Sequence, residues 1–421
     1  METQPVAEPR RGALLIATSF LALFAIVGLC LYGLPFYYDY FVKELGWSRA
    51  RVTSGNALGK LVVGPLFGFA AGWLIDRAGP KPLMVAGILF AGGALVGLGG
   101  VDALPFFFLF YFFNALAYVL AGPLPNQVLL SRAFHSKRGR ALGIAYLGIG
   151  IGGFAAPHVS KALIDAFGWR HALQALGGLV VLVALPLVLR LESGALPSQP
   201  AAAGAPGAAP TAPSEARSSL KGLLGTRYFH LLAFGSMASI GAVGGAFQNL
   251  KLLLSIDQHR SQEEATWIMS LILATSLVGR VVAGELADRW GPKRVMLVVY
   301  SLVTAALLIL AFGSSGSGIY AFVLVFGLGL GGEYLIIPLV AAELFGAAVL
   351  GRVLGIILTA DGVAEAVVPM AVATLRDATG TYTTSFVLLA LLAALGAVAI
   401  AFLPDPKPRA LGGAAPRSAP A

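Results

Sequence analysis

Cysteine is nearly missing from this sequence. Cys30 is the only one among 421 residues, so no internal disulfide can brace the fold. Histidine is scarce too, at five, and no constellation of side chains suggests a metal site or a catalytic nucleophile. Neither an enzyme nor a bound cofactor is expected. Charge is the third shortage. Asp, Glu, Lys and Arg make up 12% of the chain against 57% for hydrophobic residues, and mean hydropathy is +0.83. So little polar surface cannot keep a soluble domain from aggregating, which leaves lipid as the solvent. Acids are outnumbered 20 to 29, for a net charge of +9. Membrane sidedness explains that surplus without a nucleic-acid partner. With the N-terminus taken as cytoplasmic, nineteen Lys and Arg fall in cytoplasmic tails and loops, six in outer loops and four within helices. Both termini are expected inside, in a bacterial inner membrane.

Long apolar runs are what the chain has in plenty. A bilayer core about 30 Å thick takes about 20 apolar residues per helix. Such runs lie near 13–41, 52–75, 82–101, 104–130, 141–164, 172–190, 228–254, 264–287, 295–313, 318–345, 353–375 and 384–403. The first follows Arg10 and Arg11 and is about twice as long as a signal-peptide core, so it reads as a retained helix. Leu29, ahead of Cys30, is too large for a lipoprotein processing site.

One block of the chain is a copy of another. Gly72-Trp-Leu-Ile-Asp76-Arg77-Ala-Gly79-Pro80-Lys81 recurs 212 residues later as Gly284-Glu-Leu-Ala-Asp288-Arg289-Trp-Gly291-Pro292-Lys293. The same shift carries Gly139-Arg140-Ala-Leu142-Gly143-Ile144 onto Gly351-Arg352-Val-Leu354-Gly355-Ile356, Pro157 onto Pro369, Asp165 onto Asp377 and Gly168 onto Gly380. The expected architecture is an all-α membrane protein of twelve transmembrane helices in two pseudo-symmetric six-helix bundles. The N-terminal half is residues 1–191 and the C-terminal half 220–405. A linker over 192–219 and a tail over 406–421 are both expected to be cytoplasmic. The linker is Ala, Pro, Gly and Ser with almost no large apolar residue, and is expected to be disordered.

The Gly-x-x-x-Asp-Arg-x-Gly-x-Lys loop between the second and third helices of each half resembles the signature of the major facilitator superfamily, over residues 10–405. The resemblance implies that fold, and gating roles for Asp76, Arg77, Asp288 and Arg289 as latches between cytoplasmic helix ends. A Gly-bracketed turn with charges at helix ends is also a good turn in its own right. Gly46-Trp47-Ser48-Arg49-Ala50, the run from Phe134 to Gly143, and an arginine in the eighth helix resemble the monocarboxylate transporter and oxalate:formate exchanger branch. Two departures stand. Eukaryotic members of that branch place an aspartate one turn before the arginine, where this chain has Ser276, and a lysine inside helix 1, where the first lysine here is Lys43 at the helix end. Both bear more on proton coupling than on substrate class.

A charge near the bilayer centre costs at least about 3 kcal/mol, so every intramembrane ionisable group is a functional candidate. These are Lys60, Lys161, Lys251, Arg280, Glu333, Asp361 and Glu365, with Asp39 near a helix end. The repeat-related positions of Arg280, Glu333, Asp361 and Glu365 hold Gly68, Ala121, Ile149 and Gly153, so the fold shared by both halves does not require these charges. Arg280 is expected to clamp a substrate carboxylate with its planar fork, against the alternative of snorkelling to the interface. Its face, Ser276, Arg280 and Gly284, aligns with Gly64, Gly68 and Gly72, a small-residue face of the kind that packs on protein, which favours the clamp.

Asp361 and Glu365 share a helix face, and two carboxylates that close in low dielectric do not both ionise. Either of them, or Glu333 beside Tyr334, is a candidate proton carrier. Asp361 also has a structural reading, as a brace for the Asp76 and Arg77 latch. Asn114, Tyr118, Gln248, Asn249 and Tyr334 are candidate substrate contacts, or else interhelical hydrogen bonds. Asp39 and Lys251, repeat mates of opposite sign, are expected to pair as an outer gate. Two Gly-x-Gly-x-x-Gly runs, at 148–153 and 327–332, fit a dinucleotide fingerprint but lie inside apolar spans, where small residues serve packing.

The chain therefore reads as a monomeric secondary transporter that moves a small organic anion, a lactate- or pyruvate-like monocarboxylate, with a proton around a midplane site. One rival is an anion exchanger of the oxalate:formate kind. A second is a proton-coupled drug exporter, although Asn114 stands where a helix 4 arginine belongs and Gly153-Phe-Ala-Ala-Pro157 is not the exporter motif. The third, from another class, is a nutrient sensor that binds without transporting.

Overall fold

The computed structural model describes residues 9–404 apart from 48, 135–136, 192–221, 223 and 314–315. The expected linker and tail lie outside the described residues, as do the side chains of Asp39 and Lys251, the expected outer gate, and of Lys60. Backbone amides in lipid have no water to bond, so the chain satisfies them within helices.

Twelve passes follow one another among the described residues. Helix α1 runs from Pro9–Leu23 through a π turn at Phe24–Leu31 and a 3-10 turn at Leu34–Tyr37 into Tyr38–Leu45. Helix α2 joins Arg49–Leu58 to Gly64–Ala78 through a π turn at Gly59–Val63, α3 is Pro80–Gly99, and α4 is Leu104–Ala121 continued as Pro123–Ala133. Helices α5 and α6 are the two arms of Arg138–Leu189, which breaks at Gly168. Then come α7 (Arg227–Leu252, with a π turn at Leu253–Asp257), α8 (Gln262–Trp290), α9 (Pro292–Gly313), α10 (Gly318–Phe345), α11 (Leu350–Thr379) and α12 (Thr383–Ala401).

Repeat-related glycines end repeat-related helices. Gly79 and Gly291 take φ of 81° and 88°, open to glycine alone, and Pro80 and Pro292 then start α3 and α9. Among the described residues, ten helical stretches are long and apolar enough to span a bilayer. Arg138–Leu189 is one such stretch but holds two passes. Large apolar side chains such as Phe154, Phe312 and Leu182 face outward, as lipid allows. Lys161 is exposed and pairs with Asp165 one turn on, at 2.6 Å.

Packing repeats as the sequence does. Within the halves α1 lies on α5 and α7 on α11, while α3 lies on α6 and α9 on α12. The halves meet along two seams, α2 on α11 and α5 on α8. Glycine makes both seams close. A Cβ on Gly72 would strike the Gly351 carbonyl, and one on Gly139 would strike that of Gly284, these being the repeat mates of Gly351 and Gly72. Backbones touch there because no side chain stands between them.

Candidate functional site

Arg280 projects from α8 between two neighbouring backbones. A Cβ on Gly143 of α5 would lie 2.9 Å from the Arg280 carbonyl oxygen, and one on Gly331 of α10 would lie 2.8 Å from its amide nitrogen. The guanidinium then reaches Gly150 of α5, where an added Cβ would come within 2.7 Å of Nη1. The side chain thus crosses from the C half to the N half instead of running along the lipid boundary. Nη1 is buried without a hydrogen-bond partner, and Arg280's electrostatic neighbours among the described residues are the phenols Tyr32 of α1 and Tyr146 of α5, with no carboxylate. A charged donor with no acceptor bears its full desolvation cost, which an anionic ligand would relieve.

Across from it, Glu365 of α11 is half-buried and accepts a hydrogen bond from Tyr334 OH of α10 at 3.2 Å. Tyr32 is within electrostatic range of both Arg280 and Glu365, and Tyr118 of α4 within range of Glu365, Tyr32 and Tyr146. Arg280, Glu365 and four tyrosines therefore gather where the halves face each other. Prolines explain two of the supporting contacts. Pro369 has no N–H to offer the Glu365 carbonyl one turn back, and Gln248 Nε2 of α7 donates there instead, at 3.3 Å. Pro338 likewise leaves the Tyr334 carbonyl open, and Gln127 Nε2 of α4 supplies it at 3.4 Å while also bonding Tyr146 OH.

Two expected contacts turn to protein partners. Asn114 Oδ1 accepts from the Cys30 thiol at 2.8 Å, joining α4 to α1. Asn249 Nδ2 donates to the carbonyls of Gly245 and Pro369 at 2.9 and 3.1 Å, fastening α7 to α11. Both are the interhelical bonds that the sequence left as the alternative. Tyr32, Tyr146 and Gln127 were not singled out from the sequence. Their repeat mates are Gly244, Leu358 and Leu339, so the comparison between halves that isolates Arg280 would also have isolated them.

The remaining acids lie deeper in the C half. Glu333 Oε1 accepts from Ser239 Oγ at 2.5 Å, and Asp361 Oδ2 accepts from Ser236 Oγ at 2.7 Å. Both serines belong to α7 and all four residues are buried. Glu333 Oε2 and Asp361 Oδ1 have no partner, and the Tyr300 hydroxyl of α9 lies beside Ser236. Asp361 therefore bonds to α7 and does not brace the Asp76 latch, which corrects the structural reading of that residue.

Compared with known proteins, the chain matches the family model described as Major Facilitator Superfamily twice, over residues 19–259 and 231–420. The chain belongs to the major facilitator superfamily. Monocarboxylate transporter 13 of Bos taurus is 26% identical to it over 407 residues, 94% of this chain and 91% of that protein. The multi-drug resistance efflux pump PmrA of Streptococcus pneumoniae is 26% identical over 307 residues, 69% of this chain and 71% of that one. Its fold matches that of the fucose:proton symporter of E. coli, with a TM-score of 0.73 at 18% identity, covering 94% of this chain and 99% of the other. This superfamily member is a multi-pass membrane transporter in the monocarboxylate transporter branch, and not an enzyme.

The superfamily loop holds the two halves together on one face. Asp76, at the end of α2, accepts the backbone N–H of Gly351 and of Arg352 at the start of α11, both at 3.0 Å. Arg352 Nε at 3.1 Å and Arg132 Nη2 at 2.7 Å bind the same carboxylate. Asp288 accepts the N–H of Gly139 at 2.8 Å and of Arg140 at 2.9 Å, at the start of α5. Each aspartate caps a helix of the opposite half and meets the positive end of its dipole. The arginines expected beside them stay out. Arg77 is exposed and stacks 5.5 Å from the Trp73 ring centre. Arg289 is exposed and pairs with Glu285 one turn back at 2.8 Å. Arg132 and Arg352 take the place foreseen for Arg77.

Proposed function

We propose that this transporter carries a small monocarboxylate, lactate- or pyruvate-like, together with a proton, by rocking its halves about the Arg280 site. The observation that carries this reading is the buried, unpartnered Nη1 of Arg280 set among tyrosines. The guanidinium fork takes the carboxylate oxygens. Tyr118 and Tyr334, with Tyr32 and Tyr146, offer hydroxyls to the substrate's hydroxyl or keto oxygen. Gln248, Asn114 and Asn249 act behind them by positioning α7, α11 and α4. Glu365, which shares Tyr32 as a neighbour with Arg280, takes part in proton coupling, with Asp361 and Glu333 behind it.

Asp76 and Asp288 gate one face, with Arg77 and Arg289 as accessory charges, and Asp39 with Lys251 gate the other. The bias of Lys and Arg supports a cytoplasmic latch face, in a membrane we read as a bacterial inner membrane. One copy of the chain encloses the whole site and works as a monomer. A cationic guanidinium in the cavity suits an anion better than the cationic drugs of an exporter.

Uptake of labelled lactate, pyruvate, formate and oxalate into proteoliposomes, with and without an imposed pH gradient, tests the reading. An inward proton gradient is expected to stimulate lactate or pyruvate uptake, and Arg280→Ala to abolish it. Unchanged uptake by the variant would sink the clamp. Stimulation by preloaded anion, with no response to the gradient, would replace symport by exchange.

A further inference from the structure

We infer that Glu333 and Asp361 form a single proton store inside the C half, sharing one exchangeable proton, and that Glu365 is the relay linking this store to the Arg280 site. The store's use in transport rests on the symport reading above, whereas its existence does not. Four carboxylate oxygens are buried here. Two accept from Ser239 and Ser236, while Glu333 Oε2 and Asp361 Oδ1 have no donor. No described lysine, arginine or histidine pairs with either acid.

The groups facing the pair are Tyr300 from α9, Tyr334 from α10 and Glu365 from α11, while α7 contributes the two serines among the described residues. Arg280 of α8 has its electrostatic neighbours elsewhere, in Tyr32 and Tyr146. Two ionised carboxylates in that setting have no counter-charge. One proton held between them removes a charge and gives both unpartnered oxygens a share in an O–H···O bond.

The wiring to the Arg280 site is short. Glu365 lies one turn beyond Asp361 on α11 and bonds to Tyr334, the sequence neighbour of Glu333. In the loading step a hydronium ion arriving from solution gives its proton to Glu365, forming the Glu365 O–H and leaving water. That O–H then breaks as one forms on Asp361, and Glu365 returns to carboxylate. Ser236 and Ser239 stand one turn apart on α7, so the loaded pair laces α10 and α11 to α7. Unloading restores two like charges at that junction and loosens the lacing.

Infrared spectroscopy of the purified full-length protein in lipid reads the store directly through the carbonyl stretch of a protonated carboxyl. The wild type is expected to show one such band at neutral pH, unchanged when NaCl replaces choline chloride. Glu365→Gln should keep it, and the double variant Glu333→Gln, Asp361→Asn should lose it. No band in the wild type, or a band bleached by sodium, would overturn the store without recourse to any variant. A band that survives in the double variant would overturn it as well. If the band behaves as expected but a pH gradient fails to drive labelled lactate, the store stands and symport falls. Gradient-driven lactate uptake at the wild-type level by the double variant would leave symport standing and overturn the store's use in transport.

Discussion

At the residue scale, Arg280 combines a buried, unpartnered Nη1 with the lack of any carboxylate among its described electrostatic neighbours, whereas Arg376, whose Nε is also buried and unpartnered, is bound through Nη2 to Asp257 at 2.6 Å. Arg132, by comparison, places three nitrogens on Asp76 and two carbonyls. Arg280→Lys keeps the charge and removes the fork, so lactate should still be recognised but with an apparent affinity about tenfold or more lower. Saturation uptake measures this, and an unchanged KM would refute bidentate capture. Arg280 was legible in the sequence because a charge in an apolar run is costly and its repeat mate is glycine. Tyr32 and Tyr146 were not legible, because a tyrosine is as much at home in a packed helix as in a binding site. Only the fold brings them beside the guanidinium. Asn114 and Asn249 mislead for the opposite reason, since a buried amide is equally useful to a substrate and to a backbone carbonyl.

At the scale of the helix, the two glycine seams decide which face of the molecule can close. Gly72→Val on α2 or Gly284→Val on α8 would place methyl groups where a carbonyl of the other half now sits. Overpacking costs about 1–3 kcal/mol, enough to move the balance between closed and open latch faces by about 5- to 150-fold. Pairs of spin labels across the latch face are expected to report longer distances in either variant. The spans themselves were legible, because lipid imposes a length and a polarity that a sequence displays openly. The π turns of α1 and α2 were not. The one in α1 includes Gly28, whose Cβ would strike Gly152 of α5, and a contact across 124 residues leaves no local trace.

At the scale of the whole molecule, the latches are alike in plan and unequal in strength. Asp76 is buried and served by two arginines and two amides, whereas Asp288 is exposed and bonds to two amides among the described residues. Asp76→Asn is therefore expected to open the latch face far more than Asp288→Asn, as read by modification of cysteines placed there. Equal effects would contradict the geometry. The reciprocity of the caps has a further consequence. Residue 76 serves 351 and 352 while residue 288 serves 139 and 140, so the same patch is used from both sides, as in an isologous homodimer. The seam has the reciprocal plan of a subunit interface within one chain, and each half keeps its partner's helix end from fraying. The two halves expressed as separate polypeptides should accordingly copurify, and either one made alone should fail to accumulate.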